Sequence, residues 1–172
     1  MFHLLSNTDR PVGRTTARTL RGCRDDGSMD DDSILEMWAQ RAGFPSPLRP
    51  GDATRGWWNP ETALAVRRTA DSTWHVDIEN RGSRTTEAVL ETEEDANRFL
   101  LTRFGVLWRL GQGLQDCFPV VADPGVVVSD EGSVYSVRWN GRSAAIAAER
   151  QAIRYSHVVD EPLSRISARL MG

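Results

Sequence analysis

The sequence contains no lysine: all 21 of its basic side chains are arginine, set against 24 acids and three histidines. The resulting formal charge of −3 argues against a general nucleic-acid binder, which carries a basic face. Cysteine is scarce too. Cys23 and Cys117 stand far apart in unlike surroundings, so neither a disulfide framework nor a sulfur-ligated zinc site is expected. No window approaches the roughly 20 consecutive apolar residues of a membrane helix. The opening MFHLLSNTDRPVGRT breaks its short apolar run at His3 and lacks a signal-peptide core. These absences lead to the expectation of a cytosolic protein with no membrane partner.

Familiar catalytic signatures are missing as well. There is no P-loop, no G-x-G-x-x-G after a strand, no H-E-x-x-H, no C-x-x-C and no G-x-S-x-G. Gly111-Gln112-Gly113 follows a helical pattern rather than opening one and reads as a helix stop. The expectation is therefore no enzyme, no catalytic residue, no cofactor and no metal.

With 172 residues and 40% hydrophobic content, the chain has the mass for one domain with a sizeable core. Its first 28 residues differ from the rest, holding five arginines, three aspartates and little apolar patterning. We read residues 1–28 as a disordered or non-native N-terminal extension, with Met29 a natural start and a transit peptide the rival reading. Residues 29–172 are expected to form a single α+β domain. Without the extension, the formal charge of −3 becomes about −5.

Several elements are legible by pattern. Ser33 and Glu36 are spaced as a capping box for a helix over 34–42, with Ile34, Leu35 and Trp38 on its buried face. After the loop 44–60, the runs TALAVRRT (62–69), TWHVDIEN (73–80) and RTTEAVL (84–90) read as an antiparallel meander. In the second, Trp74, Val76 and Ile78 point inward, and His75, Asp77 and Glu79 outward. Thr92 caps a long helix over 93–110, with Glu93, Glu94 and Asp95 favourable to its dipole. Its stripe is Ala96, Phe99, Leu100, Phe104, Leu107 and Trp108.

Further strands are read at 125–129, 133–140, 142–149 and 152–158, the middle two joined by Asn140-Gly141, a strong hairpin signal. A final helix follows Asp160, read as its cap, with Pro162 in the first turn. The fold class is α+β: a mainly antiparallel sheet of about six to seven strands with about three helices packed on one side.

Two acid-rich runs, Asp30-Asp31-Asp32 and Glu91 to Asp95, read either as solvated helix starts or as lures for a basic partner. His75 and Asp77 on one strand face could do acid–base work or simply make a polar surface. His157 reads as a hydrogen-bonded, half-buried ring.

Tryptophan placement is more telling. Trp38, Trp74, Trp108 and Trp139 occupy inward positions of regular elements. Trp57 and Trp58, in RPGDATRGWWNPE, share no such pattern. Neighbours on an extended segment point to opposite sides, so one indole at most reaches the core easily. Tryptophan and arginine also dominate binding hot spots. The candidate partner interface is therefore Arg49, Asp52, Arg55, Trp57 and Trp58, with Arg81 and Arg84 on the adjacent hairpin as second choices; a purely structural role for both indoles is the alternative.

The short capped helix, the tryptophan loop, TWHVDIEN, TEEDANRFLLTRFGVLWR and SVYSVRWNGRSAA together resemble the small α+β immunity proteins of bacterial polymorphic toxin systems. The nearest of these is the mycobacterial immunity factor for tuberculosis necrotizing toxin and its relatives. The resemblance covers about Ser33 to Arg169 and lies in element order and texture. It implies an antitoxin that binds a cognate NAD-hydrolysing toxin 1:1 in the cytosol and blocks its active site. The all-arginine composition suits an actinobacterium of high GC content. Two other classes stay open: a secretion chaperone or adaptor, and a small enzyme or ligand-binding domain using His75, Asp77 and Glu79.

Overall fold

The computed structural model describes residues 29–47 and 53–172. Residues 1–28, the expected extension, lie outside the described residues. The elements run α1 (Asp31–Arg41), β1 (Ser46–Pro47), β2 (Arg55–Trp58), β3 (Thr62–Arg68), β4 (Trp74–Asn80) and β5 (Ser83–Leu90). They continue with α2 (Glu93–Gly111), β6 (Val127–Asp130), β7 (Tyr135–Trp139), β8 (Arg142–Ile146), α3 (Glu149–Ser156) and α4 (Leu163–Met171). Every paired strand is antiparallel, in one eight-stranded sheet ordered β1-β2-β3-β4-β5-β8-β7-β6. The α+β class holds, with four helices among the described residues where about three were expected.

The core forms where apolar strand faces meet α2. Leu64, Val66, Val76, Ala88, Val137 and Ile146 are buried, as are Phe99, Leu100 and Phe104 of the helix. The helix starts where expected: the Thr92 hydroxyl accepts the Asp95 amide at 3.2 Å, satisfying an amide that the first turn leaves without a partner. Arg109, near its other end, donates from Nε to the Gln115 carbonyl and from Nη1 to that of Leu170, both at 2.8 Å, which ties α2 to the last turn of α4.

Where α2 crosses α4 the fit is tight. A Cβ added to Gly105 would meet the buried Leu170 Cδ1 at 2.3 Å. Gly105→Ala is therefore expected to destabilise the fold by about 1–3 kcal/mol, outweighing the gain of about 1 kcal/mol in helix propensity. Urea unfolding measures the difference, and an unchanged or higher midpoint would contradict this packing.

Four local expectations are corrected. First, α1 begins about a turn earlier than the Ser33–Glu36 capping box requires: Asp30 is the N-cap, accepting the Ser33 amide at 2.8 Å. A carboxylate in that place caps as well as a hydroxyl and also favours the helix dipole. Second, the stretch read as a loop over 44–60 contains β1 and β2. Third, residues 152–158 are not a strand, because α3 runs from Glu149 to Ser156. The strong helix formers Ala148, Glu149, Arg150, Gln151 and Ala152 open it, and Ala152, Tyr155 and Ser156 are buried at helical spacing. Fourth, Pro162 rather than Asp160 stands at the N-cap of α4, where its fixed φ turns the chain in.

The hairpin reading holds. Asn140 and Gly141 both have positive φ, 45° and 77°, as a two-residue β7–β8 turn needs. Of the four tryptophans expected inside, Trp38 and Trp139 are buried, while Trp74 and Trp108 are half-buried against the core.

Candidate partner-binding surface

The adjacent indoles separate by strand alternation. In β2, Trp57 lies opposite Leu64 and Trp58 opposite Ala63 of β3. Leu64 faces the core, so Trp57 does too: it is 5% exposed and meets the Phe104 ring edge-on, with centroids 5.3 Å apart. Trp58 projects from the other side of the sheet and is 44% exposed.

Two turns frame Trp58. In the β2–β3 turn, the Asn59 side chain accepts the Glu61 and Thr62 amides at 3.0 and 2.9 Å. The β4–β5 turn is Arg81-Gly82, whose Arg81 amide donates to the Glu61 carbonyl at 3.4 Å. The Thr62 hydroxyl donates to Asn80 at 2.7 Å and fastens the two hairpins side by side. Between the turns lies an open groove of about 260 Å³, lined by Trp58, Pro60, Glu61, Ala63, Glu79 and Arg81 among others. Arg84 stands beside it with Glu79, 3.7 Å away.

The seven expected interface residues therefore do not form one surface. Trp58, Arg81 and Arg84 gather at the two-turn end of the sheet. Arg55 points the other way, donating to Asp32 at 2.6 Å, to Glu93 at 3.1 Å and to Asn97. It bridges the first turns of α1 and α2, so two residues from the acid-rich runs serve an internal bridge. Trp57 is core. Arg49 and Asp52 lie outside the described residues.

The polar strand face around His75 is committed elsewhere. Asp77 is only 2% exposed, and its carboxylate accepts Nε and Nη2 of Arg67, both at 3.1 Å, and the Thr86 hydroxyl at 2.7 Å. His75 Nδ1 lies 3.5 Å from Arg67 Nη2. Asp77 thus holds an arginine rather than orienting the imidazole, and Glu79 is beside Arg84. His157 Nε2 lies 2.9 Å from the Val121 carbonyl, the half-buried, bonded ring expected, though it caps α3 instead of lying in a strand.

Among the described residues, no group of three or more His, Cys, Asp or Glu side chains is placed to hold a metal ion. No described helix is long and apolar enough to cross a membrane. Burial raises the Cys117 thiol above its ordinary pKa, which disfavours the reactive thiolate.

A buried charged cluster escaped the sequence reading. Asp95 is fully buried and receives Arg98 Nη1 at 3.0 Å, Arg142 Nη2 and the Thr92 hydroxyl at 2.6 Å. Burial, with the Asp95 charge adding, pushes the neighbouring Tyr155 phenol far above its ordinary pKa. Arg142 also lies over the Trp139 ring, 5.1 Å from its centroid. The cluster joins the start of α2 to the β7–β8 hairpin, and its buried charge is visible only once the tertiary fold is known.

The sequence profile of the family described as Immunity protein 61 covers residues 38–170. The chain belongs to the Immunity protein 61 family. Its fold is also that of Rv3902c from M. tuberculosis, with a TM-score of 0.65, 18% sequence identity, and coverage of 80% of this chain and 87% of that one. No curated protein sequence matches the chain. Immunity protein 61 membership bears out the resemblance to bacterial immunity proteins and supports an antitoxin role with a partner toxin.

Proposed function

We propose that this Immunity protein 61 member neutralises a cognate NAD-hydrolysing toxin by binding over its active site. Binding is 1:1, in the cytosol of the producing cell, and the two-turn end of the sheet makes the contact. The family supplies the antitoxin role. The resemblance to the immunity factor of tuberculosis necrotizing toxin supplies the toxin's chemistry. The observation that carries the choice of surface is Trp58, 44% exposed beside a core-facing Trp57.

A solvated indole on an open sheet face is costly to leave in water and gains much when a partner covers it, because it buries large area with few torsions to freeze. Arg81 and the Arg84–Glu79 pair give that apolar centre a polar rim, the arrangement of a compact protein interface. Inhibition by such a surface needs no cofactor, metal or catalytic group on this chain.

Co-expression with the toxin encoded by the neighbouring gene tests the proposal. The wild-type chain is expected to restore growth and to elute with the toxin as one complex of 1:1 mass. Unrelieved toxicity with separate elution of the two proteins would contradict it.

A further inference from the structure

Among the described residues there are two tight hairpins with paired positive-φ residues, and one serves as a control for the other. In the β7–β8 turn the positions are Asn140 and Gly141, with φ of 45° and 77°. In the β4–β5 turn they are Arg81 and Gly82, with φ of 49° and 83°. Asparagine and glycine suit this turn because they tolerate the left-handed region; arginine, with its Cβ crowding the carbonyl, does not. Asn140 also uses its side chain locally, donating to Asp160 at 2.8 Å. Arg81 has no such return: among the described residues its exposed guanidinium makes no hydrogen bond, ion pair or ring contact.

A local rule broken with no return from the side chain inside the fold marks a side chain kept for something outside it. The groove that Arg81 lines also holds Trp58, the exposed indole. From these observations we infer that Arg81 is the specificity-determining contact of the surface. Its occupant is a toxin segment presenting a carboxylate, Asp or Glu, next to an apolar side chain. The apolar side chain lies against Trp58, and the guanidinium receives the carboxylate in a charge-assisted, two-point hydrogen bond. This rests on the proposed neutralisation of a toxin.

Glu61, on the neighbouring turn, lines the same groove, so variants of Glu61 and Arg81 distinguish an acidic from a basic occupant. A carboxylate approaching Arg81 is repelled by Glu61, whereas a basic segment would be drawn to Glu61 and repelled by Arg81. The other charges at this end, Glu79 and Arg84, lie beside each other and offset.

The test uses the full chain and the toxin of the neighbouring gene, with calorimetric binding and thermal melting of each variant. Arg81→Asn is expected to raise the melting temperature by about 1–3 °C, by relieving the turn. It is also expected to weaken toxin binding about 10- to 100-fold, the span of a lost hydrogen bond to a charged group. Glu61→Gln should bind as tightly as wild type or more tightly. The inference is overturned if Arg81→Asn binds undiminished, if Glu61→Gln is the variant that weakens binding, or if Arg81→Asn melts no higher than wild type. A wild-type chain that binds no toxin defeats the neutraliser reading itself, and this inference with it.

Discussion

Trp57→Ala and Trp58→Ala are expected to fail in opposite ways. Removing Trp57 takes an indole from between Leu64 and Phe104 and leaves a cavity under the edge of α2, at a cost of about 3–5 kcal/mol in stability. Little of that is recoverable, because the walls belong to a paired strand and to the long central helix, neither of which collapses freely. Removing Trp58 takes away a side chain that is 44% exposed and stands over Ala63, so stability should change by no more than about 1 kcal/mol.

Binding reverses the order. A central indole in a small interface is commonly worth about 2–4 kcal/mol, so Trp58→Ala should weaken the toxin complex about 30- to 1,000-fold. Trp57→Ala, while still folded at low temperature, should bind nearly as wild type does. Urea unfolding and calorimetric titration of the two variants give the four numbers needed. Equal binding losses in both would mean that the two indoles do not divide the work as the strand alternation requires.

The second large effect belongs to Asp95. Its carboxylate is fully buried and satisfied by Arg98, Arg142 and Thr92, while the Thr92 hydroxyl also caps the helix. Asp95→Ala takes the one buried carboxylate from two arginines whose side chains are only 12% and 29% exposed, leaving Arg98 with Glu94 and the Glu161 carbonyl and Arg142 with Thr92 and Asp160, and removes a negative charge from the first turn of α2. Breaking one partner from a buried ionic cluster typically costs about 3–5 kcal/mol, because the remaining charges lose their only fully buried counter-charge. We expect a loss in that range by denaturant unfolding. Toxin binding by the fraction that remains folded should be intact, since the cluster lies at the start of α2 and not at the Trp58 end. A loss below about 1 kcal/mol would mean that both arginines reach water without help.

What could be read from the sequence was local and periodic. The Thr92 cap with its acidic turn and Asn140-Gly141 each fix a short segment by its own chemistry, and both stand in the structure; TWHVDIEN does form a strand, but its alternation breaks at a register shift after Val76, and Asp77, expected outward, is buried. The misreadings came where two periods compete over a few residues. AIRYSHV alternates like a strand yet also places Ala152, Tyr155 and Val158 at helical intervals, and the helix formers ahead of it decide the matter. RGWW looked like loop because of its flanking Gly and Pro, but pairing with β3 makes it a strand.

The candidate surface was legible in part for the same reason. Alternation implied that the two indoles must separate, but not which of them faces out. That depends on Leu64 lying opposite Trp57, a fact of strand register. Arg55 was misplaced because its partners Asp32 and Glu93 lie 23 and 38 residues away, beyond any sequence pattern. The burial of Asp77 likewise depends on Arg67 and Thr86 arriving from neighbouring strands.

Neutralisation by the Trp58 surface is tested most directly by NAD hydrolysis by the neighbouring toxin, titrated with this protein. Wild type is expected to abolish hydrolysis at one equivalent. Trp58→Ala and Arg81→Asn, both folded, should need a large excess. Undiminished hydrolysis at saturating wild type, or full inhibition by one equivalent of Trp58→Ala, would contradict it.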